Sequence, residues 1–209
     1  MCWDGSVNDF VEAVLERLSS APPSSRQIVA IVGPPAAGKS TLAAELADRL
    51  GPSAGIVGLD AFHFDDGVLD ERGDRSRKGA PHTFDWPGYR ALIERVRDDA
   101  DGDIAIPVFD RSLELTRNGA AILSSEVTTV ITEGNWLLLD RPGWRDLRDL
   151  FDLTVMLQVE ESVVESRILA RWTGLGFDAP TAQKRAWSND IPNARMVARE
   201  SLTADLTLR

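Results

Sequence analysis

The apolar positions of this chain alternate between two periods. Over residues 8–18, Phe10, Val11, Val14, Leu15 and Leu18 fall at helical spacing. The segment 19–25, with two prolines, reads as a short linker. A continuous apolar run over 28–32 has the form of a strand buried on both faces. A helix follows, starting near Lys39 and ending at Leu50, where Gly51-Pro52 stops it. Residues 55–59 form a second strand that ends at Asp60, and 61–83 is a long polar stretch rich in glycine and charge. A loop of that length inside a compact fold is usually functional.

Asp85-Trp86-Pro87 opens a helix to about Asp99, with Asp85 as N-cap and Pro87 in the first turn. Residues 103–109 form a short strand, moved towards a sheet edge by Pro107. Strands at 127–132 and 153–159 flank a helix or turn at 141–150. A helix over 160–172, a loop around Gly174-Leu175-Gly176, helices from about Thr181 and Pro192, and a last strand within 202–208 complete the chain. Apolar strands alternating with helices predict an α/β fold with a mostly parallel sheet, whose ligands lie beyond the carboxyl ends of the strands. No repeat or low-complexity segment interrupts the 209 residues, which form one domain with a small helical lid at about 165–190.

The first strand runs into Gly33, Pro34, Pro35, Ala36, Ala37, Gly38, Lys39, Ser40 and Thr41. This fits G-x-x-x-x-G-K-S/T between a strand and a helix. In such a loop, successive backbone N–H groups turn inward and the helix N-terminus adds positive potential, so it binds phosphate. Lys39 reaches the β- and γ-phosphates, and the Ser40 hydroxyl ligates Mg²⁺. Two carboxylates lie at other strand ends. Asp60 is placed to take a proton from a substrate hydroxyl or to join the Mg²⁺ shell, and Glu133 to serve Mg²⁺. Arg167 and Arg171 share a helix face with no carboxylate three or four residues away, an arrangement suited to clamping phosphates. Arg77, Lys78 and His82 form a basic cluster in the long loop, and Asp110 with Arg111 follows the 103–109 strand. These five, with His63, are the candidate acceptor contacts. His63 and His82 lack metal-ligand spacing.

Composition narrows the partners. Apolar residues make up 43% of the chain and charged residues 27%, and the net charge is −10. That acidity disfavours nucleic acid and anionic membrane surfaces. A single cysteine excludes an internal disulfide and a cysteine-rich metal site. The N-terminus lacks a basic and apolar leader pattern, and no run is long enough to span a bilayer. The expectation is a cytoplasmic protein acting on a small molecule, with room for a homodimer.

The ordered motifs GPPAAGKST, GLDAFHF, RKGAPHTFDWPGY, PVFDRSLE, ITEGNWLLLD and SRILARW resemble the phosphoribulokinase/uridine kinase/pantothenate kinase group of phosphate-loop kinases. The resemblance covers about 27–208. It is closest to a bacterial branch bearing the names fructokinase and fructose-transport-system kinase. It implies a nucleoside-monophosphate-kinase type of P-loop fold with strand order 2-3-1-4-5, and ATP and Mg²⁺ as cofactors. It implies Asp60 as catalytic base, Glu133 at Mg²⁺ or substrate, a lid around Arg167 and Arg171, and Asp110 with Arg111 in the acceptor pocket. His82 departs from the group by standing where an acidic residue is expected.

The function expected is therefore transfer of the ATP γ-phosphate to a hydroxyl of a sugar, nucleoside or pantothenate-like acceptor. A second class is a nucleotide-dependent switch that hydrolyses ATP slowly and signals to a protein partner, with 61–83 as the moving loop. A switch needs no acceptor base, so the carboxylates at the strand ends favour the kinase.

Overall fold

A computed structural model describes residues 2–3, 5–19, 26–98 and 102–209. Its strands are β1 (Cys2–Trp3), β2 (Gln27–Val32), β3 (Ala54–Gly58), β4 (Ile104–Asp110), β5 (Leu115–Leu123), β6 (Thr129–Gly134), β7 (Leu153–Leu157) and β8 (Leu206–Leu208). Its α-helices are α1 (Val7–Ser19), α2 (Lys39–Leu50), α3 (Asp66–Arg72), α4 (Trp86–Asp98), α5 (Glu161–Gly174), α6 (Ala179–Arg185) and α7 (Ile191–Glu200). The linker expected at 19–25 lies, apart from Ser19, outside the described residues.

Six strands form a parallel sheet in the order β1-β8-β7-β2-β6-β3. Without β1, the five remaining strands give the expected 2-3-1-4-5 order. Cys2–Trp3 adds an edge strand beside β8 that a two-residue segment does not announce in sequence. The central strand β2 shows why its apolar run is unbroken. Val29 and Ile31 face Val11, Val14, Leu42 and Leu46 of α1 and α2. Ile28, Ala30 and Val32 face the opposite layer, with Tyr89, Ile93 and Val96 of α4 and Val197 of α7. Side chains alternate across a strand, so a strand covered on both faces must be apolar at every position.

Three expectations change. Residues 103–109 do not enter the main sheet. β4 pairs antiparallel with β5, and the register shifts between Ile106 and Val108, where Pro107 withholds a donor. β5 itself goes unannounced by the sequence. The stretch 61–83 is not a structureless loop, because it holds α3 and three short 3-10 turns. The last strand is shortened to Leu206–Leu208.

The expected cap at Asp85 is present: its Oδ1 accepts from Gly88 N at 3.1 Å. Behind β6, the fully buried Arg26 donates to the carbonyls of Val127, Val96 and Ser124. Helices α5 and α7 and the turn between α6 and α7 pack through Val164, Ile168, Ala186, Ile191 and Ala194. Among the described residues, no helix is long and apolar enough to cross a membrane.

Candidate active site

The phosphate loop joins β2 to α2, and its backbone explains its residues. Ala36 has φ 59° and Gly38 φ 96°, so the chain turns through the left-handed region twice within three residues. Gly33 is there for a different reason: a Cβ would lie 2.9 Å from the Leu157 carbonyl oxygen at the end of β7. Lys39 is the first residue of α2, and its side chain folds back over the loop. Nζ donates to the Pro34 carbonyl at 3.0 Å and to Asn135 Oδ1 at 2.7 Å. Burial pushes the lysine pKa down, while Glu133 and Asp60 pull it back up.

Glu133 ends β6 beside β2, which brings it to the start of α2. Ser40 Oγ donates to Glu133 Oε1 at 3.1 Å. Burial raises the Glu133 pKa, opposed first by Lys39. A half-buried carboxylate next to a hydroxyl fits a divalent cation. Mg²⁺ is usually bound by one or two carboxylates together with phosphate oxygens and water. Among the described residues there is no cluster of three or more His, Cys, Asp or Glu that would hold a metal without phosphate. Gly134 lets β6 close on the next turn, because a Cβ there would lie 2.6 Å from Leu59 Cβ.

That turn, Leu59–Phe62, carries Asp60 past the end of β3. Arg111 Nη2 donates to Asp60 Oδ2 at 2.6 Å. Burial alone would raise the Asp60 pKa, but His63, Arg111 and Lys39 hold it below the usual carboxylate value. His63 Nδ1 lies 2.9 Å from the Asp60 carbonyl, and its ring packs on Phe84 with centroids 3.9 Å apart. Burial lowers the His63 pKa against the pull of Asp60, which favours the neutral ring. Lys39, Asp60, Glu133 and Arg111 thus share one electrostatic neighbourhood.

The remaining candidates divide. Arg167 Nη1 donates to the Ala36 carbonyl at 3.3 Å, so α5 touches the phosphate loop. Arg171 donates to Asp190 Oδ1 at 3.0 Å, and Asp190 Oδ2 also accepts from Trp172 Nε1 at 2.7 Å. Asp190 ends a π-helical turn, Ala186–Asp190. Arg77 Nη1 donates to the Ser188 carbonyl of that same turn, and Asn189 Nδ2 to the Lys78 carbonyl. The basic loop is therefore tied to the Ala186–Asp190 turn. Lys78 Nζ bonds Asp66 Oδ1 at 2.8 Å and the Glu114 carbonyl at 2.9 Å. Asp110 shapes the β4–β5 turn by accepting from Ser112 and Leu113. His82 pairs with Asp74 at 3.4 Å, half exposed, and is not brought to Asp60.

Residues that the sequence reasoning passed over include Asn135, Asp190, Glu114 and Thr116. Asn135 follows Glu133-Gly134 directly, so its place after a strand end was a usable signal. The others are fixed only by tertiary pairing. Glu114 and Thr116 help line a cavity of about 90 Å³, together with His63, Phe64, Asp65, Lys78 and Phe109.

No protein-family profile matches the chain. It is 31% identical over 199 residues to YggC of Escherichia coli, a protein with no assigned activity, covering 92% of this chain and 81% of that one. It is 31% identical over 195 residues to a Schizosaccharomyces pombe protein provisionally named a uridine kinase, covering 88% and 83%. The crystal structure of a provisionally named fructose transport system kinase from Silicibacter sp. TM1040 superposes with a TM-score of 0.86. Its sequence is 40% identical, and the match covers 97% of this chain and 98% of the other.

Proposed function

This chain belongs to the phosphoribulokinase/uridine kinase/pantothenate kinase-like family of P-loop kinases, and from that premise we propose that it transfers the γ-phosphate of MgATP to a hydroxyl of a small molecule. One observation carries the reading: Asp60, ionised and held by Arg111, shares its electrostatic surroundings with the phosphate-loop Lys39 and with Glu133. An acceptor base beside the phosphate lysine is what transfer to an alcohol requires.

The roles follow from position. The backbone of Gly33–Thr41 cradles the phosphates, and Lys39 leaves Pro34 and Asn135 to meet the β- and γ-oxygens. Ser40 and Glu133 would hold Mg²⁺, which neutralises charge on the phosphate oxygens. Asp60 orients the acceptor hydroxyl. As the acceptor oxygen bonds to the γ-phosphorus, the bond to the β,γ-bridging oxygen breaks and ADP leaves. The hydroxyl proton passes to Asp60 and then to water. Arg167, already against the loop, and Arg171, one turn on, stabilise the moving charge when the lid closes and excludes water.

The test is ADP release from MgATP against sugars, nucleosides and pantothenate. A compound that raises turnover at least about tenfold, or 1.4 kcal/mol of barrier, and fails to do so with Asp60→Asn, establishes the kinase. ATP binding with a flat response across the panel, and stimulation by a protein partner, would replace this reading with the switch.

A further inference from the structure

Two neighbouring residues of the π-helical turn Ala186–Asp190 reach different parts of the molecule. Asp190 is buried, and consecutive residues of α5 bind both of its oxygens: Arg171 at 3.0 Å and Trp172 at 2.7 Å. The turn is therefore fastened to α5, whose Arg167 touches the phosphate loop at the Ala36 carbonyl. Asn189 reaches the basic loop instead. Its Nδ2 donates to the Lys78 carbonyl at 2.7 Å, and beside it the Ser188 carbonyl accepts from Arg77 Nη1 at 2.7 Å. A π-turn within a helical run is rare and is found most often at functional sites.

The next carbonyl of the basic loop is held from elsewhere. Trp136 Nε1 donates to the Gly79 carbonyl at 3.0 Å, and the Trp136 side chain is fully buried in the core. Two successive carbonyls are thus fastened differently, Lys78 to the turn and Gly79 to the sheet core. Gly79 lies between the two peptide planes at φ 98°, left-handed backbone that a glycine adopts without strain. A shift of the turn would rotate the first plane against an anchored second. Lys78 is the residue it would carry, and Lys78 Nζ bridges Asp66 Oδ1 of α3 and the Glu114 carbonyl in the β4–β5 connection.

One buried group is unsatisfied in the present arrangement. Asn193 of α7 is buried and donates to Asn189 Oδ1 over a long 3.4 Å, while its own Oδ1 has no hydrogen-bond partner. Buried amides are normally paired, so the observed seat of Asn189 is not the one that satisfies its neighbour fully.

We infer that Asn189 is a positioning residue: nucleotide engaged by the phosphate loop and α5 sets the Lys78–Gly79 segment through the Asn189 amide, and with it the Lys78 ammonium. The inference takes from the kinase reading only that α5 meets the bound phosphates. Asn189 acts through Lys78, without touching nucleotide or acceptor. Nucleotide that binds first then presents the acceptor with a fixed Lys78.

The experiment uses the full chain and a non-hydrolysable ATP analogue with Mg²⁺. Amide hydrogen exchange over 77–83 is followed with and without the analogue. In the wild type the analogue should slow this exchange at least about tenfold, because it suppresses local opening. Asn189→Leu is similar in size but has no donor, and Asn189→Ser is too short to reach the Lys78 carbonyl. Either should bring the ratio of the two rates to within about twofold of unity. Analogue affinity by calorimetry, and the protection of 33–41 by the analogue, should stay as in the wild type. A wild-type ratio near unity overturns the inference before any variant is made. A wild-type ratio that survives in the variants, with both rates raised alike, also overturns it, since Asn189 would then only brace the loop. The ratio needs no acceptor. A flat acceptor panel therefore counts against the kinase and leaves this link standing, whereas a ratio near unity removes the link and leaves the kinase standing.

Discussion

Arg111 Nη2 meets Asp60 Oδ2 at 2.6 Å, joining the end of the β4–β5 hairpin to the turn that leaves the central sheet. This pair is one of the contacts that favour the carboxylate form of the proposed base. Burial on its own would raise the Asp60 pKa, and His63, Arg111 and Lys39 overcome it. The reactive form is the carboxylate, so a depressed pKa keeps activity on its plateau as pH falls into the usual carboxylate range. Arg111→Ala removes one depressing charge. Its acid limb in kcat/KM against pH should therefore move to higher pH, and an unmoved limb would dissociate Arg111 from the base.

Asp60→Asn should keep nucleotide affinity within about twofold and lower kcat by about 10²–10⁴-fold, the range for a positioned general base. Calorimetry with a non-hydrolysable ATP analogue and turnover with the best acceptor measure the two quantities separately. A loss confined to nucleotide binding would place Asp60 in the Mg²⁺ shell instead.

Arg171 is held by Asp190, which also accepts from Trp172. Arg171→Ala should reduce kcat by about 10²–10³-fold, as expected for losing one donor to the transferring group. Asp190→Ala should also lower stability by about 1–3 kcal/mol, because Trp172 Nε1 loses its partner in a part-buried position. Denaturant titration of both variants distinguishes these effects, since the first should unfold close to the wild type.

Arg26, 1% exposed, binds three carbonyls from the ends of α4, β5 and the approach to β6. Arg26→Ala should destabilise the fold by about 2–4 kcal/mol, since those carbonyls lose a charged donor inside the protein. Chemical unfolding reads this directly, and nucleotide affinity at low temperature should stay within about twofold.

The parts of this molecule that were legible in its sequence are those whose physics is local. The 28–32 run had to be a buried strand, and the glycine-framed turn ahead of Lys39 had to pass through the left-handed region. Asp60 and Glu133 could be found because a carboxylate directly after an apolar run sits at a strand end. The hairpin was not legible. Leu115–Leu123 exposes most of its residues and contains Asn118 and Gly119, so no period marks it, and its partner is broken by Pro107. Arg171 looked unpaired because its carboxylate lies 19 residues away, at the end of the π-helical turn. Lys78 and His82 looked alike as basic loop residues, yet one lines the cavity and the other pairs with Asp74 at the surface. That difference arises from which side of a folded loop each side chain leaves.

The separation of the β4–β5 hairpin from the parallel sheet divides inheritance within the site. The phosphate loop leaves β2 and Glu133 lies on β6, strands paired on both sides. Phe109, Arg111, Glu114 and Thr116 stand on a two-stranded flap that shares no ladder with those strands. Under the proposed function, substitutions in this hairpin are expected to alter acceptor use with little effect on nucleotide affinity.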